Sequence, residues 1–141
     1  MAAATVTSNV ILNDTDRYAI QLTCLATDTG ESAVVKIDKS TLVGPNGAEP
    51  SKLTLLSARW SIGNIAQVTL LWDDADTDGG GADTDVDRVI MRLVGVGSAD
   101  FTGLSGLKDT GSGGTGDILL TTGAVTNPGT YDITLVFKKQ D

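Results

Sequence analysis

Apolar residues in this chain recur at every second position, in short runs broken by turn residues, and nowhere hold the helical spacing over three turns. Residues 18–25, YAIQLTCL, show this best, with Tyr18, Ile20, Leu22 and Cys24 on one face of an extended strand. Strand patterns are read at residues 6–12, 18–25, 33–37, 52–62, 65–72, 88–94, 118–121 and 131–138. Gly63-Asn64 reads as a hairpin turn, and Asp28-Thr29-Gly30 and Asn127-Pro128-Gly129 as further turns. Residues 40–43 and 99–107 have room for a helical turn, and the glycine-broken stretch 95–116 reads as loop. The pattern predicts an all-β chain, a single-domain antiparallel β-sandwich that is jelly-roll-like. At 141 residues such a domain buries a core without metal or disulfide staples. Residues 1–15 read as a flexible N-terminal arm and 16–141 as the sandwich.

Charge is distributed unevenly. Between the strand patterns VTLLW (68–72) and RVIMRLV (88–94) lies the tract 73–87, DDADTDGGGADTDVD. It carries seven acids: Asp73, Asp74, Asp76, Asp78, Asp83, Asp85 and Asp87. The chain's formal charge is -8, and without those seven residues it falls to -1. Asp74-Ala75-Asp76-Thr77-Asp78-Gly79 matches the opening of a calcium-binding loop, in which alternate carboxylates converge and glycine permits the bend. Asp85 stands where such a loop places its last, bidentate ligand. The flanks are strands, not helices, so this is not an EF-hand domain. Two readings stand side by side: a Ca²⁺ site of Asp74, Asp76, Asp78 and Asp85, or a hydrated, self-repelling hairpin tip. Such a tip discourages edge-to-edge association.

Little else offers reactive chemistry. There is no histidine, and the one cysteine, Cys24, sits in an alternating apolar run and reads as a small buried hydrophobe. No basic cluster is present, which argues against nucleic-acid binding, and no apolar stretch approaches the length of a membrane span. Residues 1–15 lack the basic and apolar regions of a signal peptide. Asp28, Glu31 and Asp38 could be read as a glycosidase carboxylate pair, but turn and surface charge is the favoured reading. Residues 111–116, GSGGTG, lack the Lys-Ser/Thr of a phosphate-binding loop. Trp60 and Trp72 are read as interior fillers, with a sugar platform as the alternative. With no tuned acid–base or nucleophilic pair in view, the chain reads as a non-enzyme.

Several patches carry a resemblance. TGDILLTT (115–122) followed by YDITL (131–135) resembles the C-terminal signature of a family of small tailed-phage virion proteins. DTGES (28–32), VKID (35–38), Leu71-Trp72-Asp73 and the segment from Gly97 through Asp100-Phe101 to Gly106-Leu107 resemble the same family. The acidic tract departs from the family pattern, which has a shorter turn after Leu-Trp-Asp, so the tract inherits no role. The resemblance implies a capsid decoration, or cement, protein on the outside of the virion head. It implies a homotrimer bound to the major capsid protein, made in the host cytoplasm. The arm 1–12, the 88–94 strand and the C-terminal strand are the expected contacts. A tail-, neck- or fibre-associated virion protein, or a glycan-binding β module, is the alternative.

Overall fold

The computed structural model describes residues 5–26, 30–31, 34–74, 88–108 and 114–140. These residues form an all-β sandwich of two antiparallel sheets. The strands are β1 (Thr5–Asn13), β2 (Arg17–Ala26), β3 (Val34–Ile37), β4 (Lys52–Ile65) and β5 (Val68–Asp74). They continue with β6 (Arg88–Leu93), β7 (Val96–Asp100), β8 (Gly114–Thr122) and β9 (Val125–Gln140). One sheet runs β1-β2-β9-β4-β7 and the other β3-β8-β5-β6. Pairing is nested: β2 with β9, β3 with β8, β4 with β7 and β5 with β6. Two-residue connections at 66–67, 94–95 and 123–124 hop between the sheets. They set β4 opposite β5, β7 opposite β6 and β9 opposite β8. That leaves β3 opposite β2, with β1 overhanging at the edge farthest from β6.

The core follows directly from alternation. Tyr131, Ile133, Leu135 and Phe137 of β9 point inward and are buried, facing Val68, Leu70 and Trp72 of β5 and Ile118 and Leu120 of β8. Burying each such side chain contributes about 1.5–3 kcal/mol. Polar turn residues close the ends. Asp14 accepts from the backbone N–H of Asp16 and Arg17 at 2.9 and 2.7 Å. Asp38 accepts from Ser40 N–H at 3.0 Å, and Asp100 from Thr102 N–H at 2.9 Å. These bonds to the ionised form hold all three carboxyls below the usual aspartate range.

Short 3-10 turns lie at Lys39–Thr41, overlapping the stretch 40–43, and at Thr102–Leu104, within 99–107. Other local expectations are corrected. Residues 5–13 of the predicted arm form β1, paired with β2 along its length. Gly63-Asn64 is not the hairpin turn: β4 runs on to Ile65, and the reversal falls at 66–67. Asn64 adopts a positive φ of 58° within a register shift, and its amide donates to Pro128 O at 2.9 Å. Asn tolerates that left-handed conformation, so it bends the strand instead of ending it. Asn127-Pro128-Gly129 lies inside β9 beside the same irregularity. The stretch read as loop contains β7, whose Gly97 hid it. A Cβ on Gly97 would come within 2.6 Å of the Trp60 ring, so the glycine makes room for the indole.

Candidate functional site

The four residues of the candidate calcium loop are not brought together in the described structure. Asp74 is the last residue of β5, paired with Gly114. Asp76, Asp78 and Asp85 lie outside the described residues. Among the described residues no group of three or more His, Cys, Asp or Glu is arranged to hold a metal.

The two tryptophans part company. Trp72 is buried in the core. Trp60 is half-buried at the β4–β7 edge, and its indole N–H donates to Val94 O at 3.2 Å. It borders a shallow groove of about 330 Å³ with Gln21, Arg59, Ser61, Val96, Asp132 and Thr134. Gln21 donates to Asp132 across the groove at 3.1 Å. Its polar side chains alternate outward along β2, β4 and β9, as expected for a solvent-facing sheet.

A buried polar cluster went unread in the sequence. Glu31 is not surface charge, because the backbone beside it is bound to β8. Thr122 N–H donates to Glu31 O at 2.9 Å, and Glu31 N–H to Thr122 Oγ1 at 2.7 Å. The Glu31 carboxylate pairs with the Lys36 ammonium and accepts from the Tyr131 hydroxyl at 2.5 Å. The Lys36 and Glu31 side chains are only 5% and 8% exposed, so this pair is shielded from water. Burial, then the bond to the Glu31 carboxylate, raises the Tyr131 pKa and keeps the phenol protonated as a donor. Asp38 instead caps the 3-10 turn, and Asp28 lies outside the described residues.

Cys24 stands near this cluster. Burial raises its thiol pKa, and the Glu31 carboxylate raises it further against the opposing effect of Lys36. A neutral, buried thiol is a poor nucleophile. Cys24 is therefore expected to resist an aromatic disulfide reagent in the native protein and to react at once in denaturant. Fast native labelling would show instead that the end of β2 opens readily.

The face of the four-stranded sheet that points away from the core carries the feature least typical of a solvated surface. Val35, Leu119, Leu71 and Val89 pair in sequence across β3, β8, β5 and β6, so an apolar row crosses the whole sheet. Val35 is 50% exposed and Val89 43%, while Leu71 is half-buried and Leu119 buried. The turn from β6 to β7 adds the exposed Val94, and Val96 is exposed on β7 of the other sheet. The sequence signal was present in Leu71 alone, out of phase with Leu70 and Trp72; Val35 and Val89 keep the parity of the buried Ile37 and Leu93, and register shifts turn them outward. No protein-family profile, curated protein or solved structure matches the chain.

Proposed function

We propose that this chain is a capsid decoration protein, which stabilises a phage head by occupying its outer surface, and that its strands are wound as a jelly roll. The nested pairing supports that winding. The observation that carries the functional reading is the apolar row of Val35, Leu119, Leu71 and Val89 on an outward face. Its two ends, Val35 and Val89, are exposed at the opposite edges of that face, and such apolar side chains favour a partner that removes them from water. A protein that binds the intact lattice and not its separated parts stabilises the assembled state by mass action. Three copies held together would multiply weak contacts through effective concentration. The phage-like segments 115–122 and 131–135 fall on β8 and β9, at the centres of the two sheets. Because β9 is hydrogen-bonded on both sides, it offers a face to the lattice and no edge.

Val35→Glu and Val89→Glu test this reading. Both positions are exposed, so the melting temperature is expected to move by no more than a degree or two. Cosedimentation with heads that lack the protein is expected to fall at least about tenfold, since each charge must be desolvated on docking. Unchanged cosedimentation would reject the row as the lattice contact. Finding the protein only at the tail of purified virions, or absent from them, would reject the decoration role.

A further inference from the structure

Among the described residues four sheet edges are unpaired, and three are blunted. β3 has only four residues, β7 has five, and β6 carries Arg88 and Arg92. β1 differs: it spans nine residues, TVTSNVILN, with no charge and no proline. Among the described residues it pairs on one side alone, with β2. Its one irregularity, between Val10 and Leu12, leaves Thr5 to Val10 in unbroken register. A long, regular, uncharged edge is a template for another strand, and proteins that work alone protect such edges.

We infer that β1 is a homophilic edge that pairs antiparallel with β1 of a second copy of this chain, about a twofold axis at Ser8. The sequence around that residue is palindromic in character: Val6-Thr7-Ser8-Asn9-Val10. Antiparallel pairing centred on Ser8 sets Val6 against Val10 of the other copy, Thr7 against Asn9, and Ser8 against itself. Such a contact is isologous, each copy offering the same patch. Val6 and Val10 share a face, and Val10 is 49% exposed in the single chain. Facing β-branched residues are favourable cross-strand pairs. An unrelated strand has no reason to match this pattern in both directions, whereas a second β1 matches by construction.

Charge points the same way. Two chains of formal charge -8 repel, and seven acids lie in the tract 73–87. Its attachment points are on β5 and β6, at the side of the sandwich away from β1. Pairing through β1 joins the copies along an uncharged edge, and the ends of β5 and β6 that carry the tract are not on that edge. The result is a continuous ten-stranded sheet. This goes beyond the head-lattice reading and uses a different surface from the apolar row.

The test is sedimentation equilibrium on the full chain. The wild type is expected to show a concentration-dependent monomer–dimer equilibrium. Ser8→Lys or Ser8→Glu, each putting like charges on the axis, is expected to weaken the dimer on the order of tenfold or more. An equimolar mixture of the two variants is expected to restore a dimer containing one of each. Ser8 is exposed, so both variants keep the wild-type circular dichroism. A wild type that stays monomeric at the highest soluble concentration overturns the inference. So does a dimer indifferent to both substitutions, or a mixture that fails to recombine. None of these results affects binding to heads, so the two proposals fail separately.

Discussion

Replacing Glu31 with glutamine is expected to destabilise the protein by about 3–5 kcal/mol, because it leaves the Lys36 ammonium buried without its counter-charge. In a domain of this size that lowers the melting temperature by roughly 10 °C or more. The pair is shielded, so neither solvent nor salt substitutes for the lost carboxylate. The control is the double variant Glu31→Leu/Lys36→Met, which removes both charges together. It is expected to recover most of the loss, since replacing a buried pair by apolar groups of similar size is often neutral. A single-variant loss under about 1 kcal/mol would mean that the pair is hydrated, as surface pairs are. Thermal melts of wild type, Glu31→Gln and the double variant separate the cases. The cluster matters for architecture because it ties the connection between β2 and β3 to β8 and β9, and so ties one sheet to the other.

Much of the scaffold was legible because alternation encodes it. In β2, and in β9 from Tyr131 to Phe137, every second residue is apolar and buried; β2 lies where the pattern places it, while β9 begins earlier, at Val125. What escaped had conflicting local and long-range signals. Gly97 and Asn64 are turn formers by local chemistry, yet one makes room for the Trp60 ring and the other bends β4. Their roles depend on residues more than thirty positions away. Glu31 reads as a turn charge until Thr122 and Tyr131 are placed beside it. Lys139 was hidden differently. It continues the inward series of Tyr131, Ile133, Leu135 and Phe137, but a lysine there contradicts the usual expectation for charge.

The second large effect concerns that lysine. Lys139 is 2% exposed, and its ammonium donates to Asn13 Oδ1 at 2.6 Å, Asp14 O at 2.6 Å and Val43 O at 2.9 Å. All three of its donors are therefore used. Burial lowers its pKa against the opposing pull of Asp14. The contacts clamp the β1–β2 turn to the segment before β4. Lys139→Met keeps an unbranched apolar stem but removes the ammonium, which lies 6.0 Å from the Tyr18 ring centroid, and with it all three hydrogen bonds. The expected cost is about 2–4 kcal/mol, less than three full charge-assisted bonds, because water can reach part of the freed backbone. Hydrogen exchange should show the loss concentrated at residues 13–17 and 43. A uniform increase across the sandwich would indicate general destabilisation and not a released clamp.

The placement of β9 has a consequence for biogenesis. It fills the slot between β2 and β4, so the larger sheet is split in two until the ribosome has delivered residues 125–140. Nested pairing makes nearly every sheet contact distant in sequence, and chains of that kind fold slowly. During translation, β2 and β4 must wait with unfilled hydrogen-bonding edges for their shared neighbour. A nascent polypeptide in that condition is prone to aggregate until synthesis reaches β9.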